Sequence, residues 1–257
     1  MRSLSLLAAI AVSCSGCFAI TDIDHFQPAA GRDMKLHLRG MVPHRSHLVD
    51  VALIDATGNL QSWARIQPLD GDDFDVVMPK ALARPPYRVD FFSDRDRDGL
   101  TPFALGTTPV DHQWRIDPFP LSGEDTFVHN TNFVPIDPLS TGNGTAMIVL
   151  GTGGLADVAA EVRVTEAATG RTRVVIRHQA ISSDPEVLTA PGVFELETEY
   201  RIDAWIDGNG DRVYQPPGSL VTDDHSFRTT VTPRADTSVT ATIVFSLAMG
   251  EQTDVEF

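Results

Sequence analysis

The sequence predicts an all-β protein made of two tandem β-sandwich domains. Segments in which apolar and polar residues alternate, such as 34–39 and 87–91, are typical of half-buried strands. Turn signals rich in Gly, Asn, Asp and Pro separate these segments about every 8–12 residues. No stretch keeps the 3.6-residue apolar period of an amphipathic helix. Together these observations favour short strands packed face to face.

An internal repeat divides the chain into two modules. Residues 87–90 read Tyr-Arg-Val-Asp and run into an acidic loop at 94–99, and residues 200–203 read Tyr-Arg-Ile-Asp and run into a second acidic loop at 207–211. The offset between equivalent positions is 113 residues, from Tyr87 to Tyr200. Each copy is long enough to bury a core of its own.

The repeat and the composition of the connecting segments set the expected organisation. The segments are a signal peptide at 1–17, a tether at 18–31, a β-sandwich module at 32–134, a linker at 135–145 and a second β-sandwich module at 146–257. The linker has prolines at its start and Gly and Asn at its end, which is typical of a semi-stiff, then loose connection.

Alternation predicts the strands of the two modules in order. In the first they lie at 34–39, 49–53, 60–66, 74–78, 87–91, 112–116 and 127–133. In the second they lie at 147–149, 162–164, 172–177, 200–204, 227–231 and 238–246. The Asp-Ala-Thr-Gly-Asn run at 55–59 is a hairpin signal that 168–170 repeats. Asp184-Pro185-Glu186 predicts a single helical turn, with Asp as N-cap and Pro at the first position.

The first 17 residues have the layout of a secretory signal. Met1-Arg2 supplies a positive start, and the nine residues from Leu4 to Val12 form an apolar run that is too short for the roughly 20 residues of a membrane span. Ser15-Gly16-Cys17 resembles the lipobox of bacterial lipoproteins, which implies a lipid on Cys17 and an exported protein held in the cell envelope. The family favours Leu where this chain has Cys14, so Cys14 as the anchor and an ordinary signal cut nearby stay open.

Charge and cysteine content exclude several classes of function. The chain has 35 acidic and 20 basic residues and a net charge of −15, which argues against nucleic acid and anionic lipid surfaces as main partners. Beyond Cys17 the chain has no cysteine, so the folded part has no disulfide, thiol nucleophile or cysteine-ligated zinc. The motifs G-x-S-x-G and H-E-x-x-H are also absent from the sequence.

The acidic loops predict two weak calcium sites. Carboxylates at positions 1, 3 and 5 of a tight loop converge on one point, and calcium takes six to eight oxygen ligands. We expect dissociation constants of about 10⁻⁴–10⁻³ M. The alternative is a pair of turns whose acids are solvated and held by local hydrogen bonds. The candidate ligands are Asp90, Asp94, Asp96, Asp98 and Asp111 in the first module and Asp203, Asp207, Asn209, Asp211 and Asp224 in the second.

The two loops are not equivalent. Arg95 and Arg97 are interleaved with the acids of the first loop and could neutralise them without a metal, whereas Gly208 and Gly210 occupy those positions in the second. The sequence therefore favours the second loop as the ion-binding one. Both begin like an EF-hand loop, but the twelfth position lacks its glutamate. They are more similar to the aspartate-rich calcium loops of bacterial surface β-modules and thrombospondin type 3 repeats; immunoglobulin-like or transthyretin-like sandwiches are the architectures suggested by analogy.

Histidines recur beside the loops. Asp111-His112 and Asp224-His225 occupy equivalent positions, and they are interpreted as strand-start residues packing beside an aromatic ring; a metal-linked or catalytic imidazole is the alternative. His44 and His47 could also pair on a metal, but two nitrogens alone do not make a site.

The function expected from these features is that of a non-enzymatic, exported surface lipoprotein, in which two calcium-stabilised modules bind or display an extracellular ligand. One alternative is a carbohydrate-binding protein, which would need exposed aromatic rings; the candidates are Trp63, Trp114 and Trp205. A less favoured alternative is a secreted metal-dependent hydrolase that uses the Asp-His pairs.

Overall fold

Fourteen strands and one short 3₁₀ turn, Val42–His44, account for the regular structure of the described residues. The computed structural model describes residues 31–67, 71–97, 111–136, 144–151, 157–181, 184–215, 224–234 and 240–245. The strands are β1 (Arg32–Arg39), β2 (Leu48–Asp55), β3 (Leu60–Gln67), β4 (Phe74–Leu82), β5 (Tyr87–Asp94), β6 (His112–Ile116), β7 (Glu124–Val128), β8 (Gly144–Leu150), β9 (Val158–Glu166), β10 (Thr172–Ile181), β11 (Glu186–Phe194), β12 (Tyr200–Ile206), β13 (His225–Val231) and β14 (Thr240–Phe245). The all-β prediction is confirmed.

The helical turn predicted at Asp184-Pro185-Glu186 is wrong. Strand β11 begins at Glu186, which pairs with Leu150 at the start of an antiparallel ladder with β8. One isolated helical turn closes a single hydrogen bond at high entropic cost, whereas the ladder satisfies successive backbone groups.

The strands of both modules meet in one sheet. Its order is β13-β12-β9-β10-β3-β2-β5-β6, with first-module strands on one side and second-module strands on the other. The seam is a parallel pairing of β3 with β10, in which Trp63 lies opposite Val174 and Gln67 opposite His178. Two smaller sheets, β4-β1-β7 and β11-β8-β14, belong to one module each. The modules are therefore joined edge to edge.

The strand order reads alike outward from the seam, as β3-β2-β5-β6 and as β10-β9-β12-β13. Two equivalent strands that pair in parallel are related by a two-fold axis running along them, and such an axis turns the sheet over. The two small sheets should then cover opposite faces of the large sheet. Side chains confirm this arrangement, because Val51 and Leu53 of β2 lie in one core and Ala52 and Ile54 lie in the other.

Each core crosses the seam. The core over the first module includes Leu36, Phe91 and Trp114 and takes in Val175 of β10. The core over the second module includes Ile148 and Val162 and takes in five first-module residues: Ala52, Ile54, Leu60, Trp63 and Phe92. Because first-module side chains complete the second core, the two halves depend on each other for burial of their apolar surface.

A tyrosine fixes the same corner in both modules. The hydroxyl of Tyr87, at the start of β5, accepts backbone N–H bonds from Ala83 at 2.9 Å and from Arg84 at 2.6 Å. The hydroxyl of Tyr200, at the start of β12, accepts one from Glu195 at 2.8 Å. Among the described residues no helix is long and apolar enough to cross a membrane.

Candidate functional site

The first acidic loop leaves β5 and brings three of the predicted ligands together. Asp94, Asp96 and Asp111 each offer one carboxylate oxygen, and these oxygens all lie within 4.8 Å of one another. Asp94 and Asp111 are buried, whereas Asp96 is exposed. Three carboxylates at this separation repel one another in the absence of a cation, and oxygen is the ligand that calcium prefers. Asp98, the fourth predicted ligand here, lies outside the described residues.

Backbone hydrogen bonds hold two of these carboxylates in place. Asp94 Oδ1 accepts the N–H of Arg97 at 2.7 Å, and Asp111 Oδ1 accepts the N–H of Arg95 at 3.0 Å. Arg97 has a φ of 60°, and its equivalent Gly210 in the second loop has a φ of 77°. Gly210 likewise donates its N–H to Asp207 Oδ1 at 2.7 Å. The same left-handed turn is thus built twice, once with the glycine that suits it and once with an arginine.

The second loop is closed by its own hydrogen bonds. Asp207 Oδ2 accepts the N–H of Arg212 at 2.9 Å, in addition to the bond from Gly210. Asp211 accepts the N–H of Val213 at 2.8 Å and the side-chain amide of Gln215 at 2.6 Å. The Asn209 side-chain oxygen accepts the N–H of Asp211 at 2.8 Å. Most of the predicted ligand oxygens are therefore engaged in turn hydrogen bonds, which is the alternative interpretation of this sequence pattern.

Asp224 is the exception in the second loop. Its Oδ2 accepts Trp205 Nε1 at 3.1 Å and the N–H of Gln215 at 2.9 Å. Its Oδ1 is buried without a hydrogen-bond partner among the described residues, although only 2% of the residue is exposed. Burial raises the pKa of this carboxyl, and the nearby charges of Asp207 and Asp211 raise it further. A buried carboxylate oxygen that lacks a hydrogen-bond partner and lies beside two other acids is stabilised by binding a proton or a cation.

Asp90 and Asp203, predicted as metal ligands, serve the sheet instead. Both oxygens of Asp90 are held by the guanidinium of Arg115, at 2.6 and 2.9 Å, and Arg88 adds a third contact at 3.3 Å. Asp203 has the same arrangement with Arg228, at 2.6 and 3.4 Å, and with Arg201 at 2.9 Å. Each acid precedes its loop by four residues, about 13 Å along an extended strand, which is too far to share an ion with the loop.

The three tryptophans are buried rather than displayed. Trp63 and Trp114 lie in the two cores, and Trp205 packs beside Asp224 and Tyr214. Their exposed fractions are 0%, 1% and 6% for Trp63, Trp114 and Trp205. None of the three tryptophans therefore provides the exposed ring that the carbohydrate-binding alternative would need.

Histidines gather beside the first loop, and sequence reasoning found only part of this group. His44 Nε2 lies 3.1 Å from His129 Nε2 and 3.5 Å from His112 Nδ1. His47 packs against His44 with ring centroids 5.6 Å apart. His129 follows β7 and carried no signal in the sequence; the parallel pairing of β7 with β1 brings it to this end of the module.

The contacts of His112 are those of a packed residue. Its ring stacks on Phe133 with centroids 3.9 Å apart and lies 6.1 Å from Trp114. Its Nε2 is 2.9 Å from Nη1 of Arg95, which places a permanent cation at the position where a general base would take a proton. These contacts favour the interpretation of His112 as a strand-start packing residue.

Stability is expected to fall as the pH drops from 7 to 5 because of His44. Burial, followed by the neighbouring His112 and His129, lowers the pKa of His44 to about 3. The unfolded chain, with a His pKa of about 6.5, therefore binds a proton at pH 5 that the folded chain does not bind. This lowers the free energy of unfolding by about 2 kcal/mol at pH 5. Urea unfolding at both pH values measures the effect.

Two variants identify the source of this pH dependence. His44→Gln, which cannot titrate, should flatten it. His37→Gln is the matched control, because Asp75 and Glu124 raise the pKa of His37 and its contribution has the opposite sign. An unchanged pH slope in His44→Gln would contradict the prediction.

Comparison with protein-family models and with curated proteins gives no match for this chain. Among solved structures the similarities are weak. A proposed adhesin from Bacteroides ovatus has a TM-score of 0.25 and 12% identity, over 67% of this chain and 72% of that one. A proposed cell adhesion protein from Parabacteroides distasonis has a TM-score of 0.22 and 14% identity, over 78% and 80% of the two chains. Proposed polysaccharide-binding proteins from Bacteroides thetaiotaomicron give 0.21 and 10%, over 66% and 75%. TM-scores below 0.5 do not establish a common fold, so the function proposed for this chain comes from its own residues.

Proposed function

We propose that this protein is an exported, non-enzymatic binding protein of the cell surface, in which calcium holds the first acidic loop. The observation that carries the proposal is the convergence of Asp94, Asp96 and Asp111, whose oxygens lie within 4.8 Å of one another between β5 and β6. A cation there would relieve their repulsion and fix the connection between two strands of the large sheet. A sheet braced in this way presents its loops as a rigid binding surface.

The fit of calcium to the first loop rests on donor type. All three groups are carboxylates, and backbone N–H groups already hold Asp94 and Asp111 in the positions at which their oxygens converge with Asp96. Calcium accepts six to eight oxygens in a flexible geometry, so water can complete the shell. In the second loop the orphaned oxygen of Asp224 supports a second, weaker site beside Asp207.

Calcium is expected to raise the melting temperature by several degrees. Calcium at ten times its dissociation constant stabilises the folded state by about 1.4 kcal/mol per site, and 1 kcal/mol corresponds to roughly 2–4 °C for a chain of this size. Differential scanning calorimetry at increasing millimolar calcium, with and without chelator, measures the shift.

A matched pair of variants separates the two loops. Asp96→Asn removes one charge from the first loop, and Asp211→Asn does the same in the second. Loss of most of the calcium response in Asp96→Asn alone would support the first loop as the main site. Loss of the calcium response in Asp211→Asn alone would place the main site in the second loop, which the sequence favours. No response in the unaltered protein would rule calcium out.

Attachment to a membrane through Cys17 belongs to the same proposal, and residues 1–30 lie outside the described part of the chain. The support is the signal layout of the first 17 residues and the Ser-Gly-Cys sequence at their end. Labelled palmitate should be incorporated into the unaltered protein and lost in Cys17→Ala. Incorporation that survives Cys17→Ala and disappears in Cys14→Ala would move the anchor to Cys14.

A further inference from the structure

A cleft of about 330 Å³ lies at the junction of the two modules. The β2–β3 hairpin contributes Asp55 and Gln61 to its lining, and the equivalent β9–β10 hairpin contributes Glu166, Thr169 and Arg171. Arg84 lies next to the corner tyrosine and completes the polar lining. The volume is at the lower end of the range for small-molecule sites, about 300–1,000 Å³. The cleft exists only because β3 and β10 pair at the seam.

The acids of the cleft are already satisfied. Asp55 Oδ1 accepts the N–H of Thr57 at 2.9 Å, and its Oδ2 accepts Gln61 Nε2 at 2.6 Å. Glu166 Oε2 accepts the Thr169 hydroxyl at 2.7 Å, and its Oε1 accepts Nη1 of Arg173 at 2.8 Å. Both carboxylates are therefore committed to the hairpins and offer little to a ligand cation.

The arginines of the cleft are not satisfied in this way. Arg171 donates from Nη2 to the backbone oxygen of Gln61 at 3.1 Å and to its side-chain oxygen, and among the described residues its Nη1 has no hydrogen-bond partner. Arg84 is exposed. In the described part of the chain neither arginine forms an ion pair with a carboxylate. Burial lowers the pKa of Arg171, and the adjacent Arg173 lowers it further. Among the described residues, the hydrogen-bond donors of the cleft that lack a partner therefore belong to these two arginines.

We propose that this cleft binds a small ligand through a carboxylate group held between Arg84 and Arg171. A guanidinium presents its donors as a planar fork that matches a carboxylate, and such bonds strengthen where water is excluded. The inference deepens the proposed function, because it rests on the protein being a binding protein and names the class of ligand. The net charge of −15 repels anions from the chain as a whole, whereas two arginines that form no ion pair among the described residues attract an anion to the cleft.

Isothermal titration calorimetry on the full chain tests the proposal with three probes. Galacturonate carries a carboxylate on a sugar, galactose is its neutral counterpart, and succinate is a carboxylate without a sugar. We expect galacturonate to bind and galactose not to bind. Binding of succinate with equal affinity would also support the site and show that the carboxylate is sufficient. Equal binding of galactose and galacturonate, or no binding of either acid, would overturn the proposal.

The variants localise the binding. Arg84→Gln changes an exposed side chain and should weaken acid binding about tenfold or more, the usual effect of losing a charged hydrogen bond. Arg171→Gln should do the same. Arg45→Gln is the control, since it removes an exposed arginine at the opposite end of β2, where it pairs with Asp72. Acid binding that is unchanged in Arg84→Gln would place the ligand elsewhere and overturn the proposal.

The calcium and cleft results are separable. The titrations are run with calcium and with chelator, and the cleft is expected to bind the acid in both. Absence of a calcium response with acid binding intact would reject the metal part of the proposed function and leave the cleft site standing. A calcium response without acid binding would reject the cleft site and leave the calcium site standing.

Discussion

Replacing Arg65 by methionine is expected to destabilise the protein by about 3–5 kcal/mol. The guanidinium of Arg65 holds both oxygens of Asp50 at 2.8 Å, across the β2–β3 ladder. Asp50 is fully buried, and burial raises its pKa against the lowering effect of Arg65. Without the arginine an unpaired charge stays in the sheet, and the cost of desolvating it is no longer offset.

The pH dependence identifies the cause of this loss. With Arg65 gone, the folded-state pKa of Asp50 rises further above that of the unfolded chain. A raised carboxyl pKa contributes stability only at low pH, so the destabilisation by Arg65→Met should be larger at pH 7 than at pH 4.5. Chemical unfolding at the two pH values measures it. Arg65 also lies over the ring of Trp63, at 5.0 Å from its centroid. An equal loss of stability at both pH values would mean that the variant acts by removing this packing contact.

Two controls accompany this experiment. The double variant Asp50→Leu/Arg65→Met removes the pair together and should recover much of the stability. Arg45→Met breaks the exposed pair with Asp72 and should cost no more than about 1 kcal/mol. A loss of several kcal/mol in Arg45→Met would contradict the contrast between buried and exposed pairs.

Replacing Trp63 by alanine should destabilise both modules together, by about 3–5 kcal/mol. Trp63 belongs to first-module strand β3, yet its side chain is fully buried in the core that covers the second module. The cavity left by the indole lies at the seam, where β3 pairs with β10. Since each core takes side chains from both modules, we expect the halves to unfold in one transition.

Fluorescence reports on each half separately. Trp114 lies in the first module and Trp205 in the second, so Trp63→Ala variants that also carry Trp114→Phe or Trp205→Phe each retain one probe. In each variant the fluorescence curve is expected to coincide with the far-ultraviolet circular dichroism curve of the same protein, which reports on both modules. Phe133→Ala is the control, because Phe133 is 41% exposed and its removal leaves no enclosed cavity. Two separated transitions would show that the modules fold independently and that the seam contributes little.

The repeat predicted much of the candidate site. The equal spacing of Asp111 and Asp224 after their loops suggested that these acids return to the loop, and Asp111 does lie with Asp94 and Asp96. Asp90 and Asp203 were predicted to be metal ligands because they are acidic and lie near the loops. Nothing adjacent to them in the sequence indicated the arginines that bind them. Those arginines lie on neighbouring strands, at positions set by register: Arg115 is opposite Asp90, and Arg228 is opposite Asp203. Register between strands depends on non-local packing that a single sequence does not display.

Alternation, turn residues and the internal repeat were enough to predict the all-β class, the duplication and the composition of both acidic loops. These are local properties, since alternation of period two and turn chemistry are written in adjacent residues. Contacts between distant residues establish three further features: the single sheet shared by both modules, the burial of the tryptophans and the arginine-lined cleft at the seam. The sequence could not show them, because several strand edges could have paired with β3, and the pairing with β10 depends on how well whole surfaces fit.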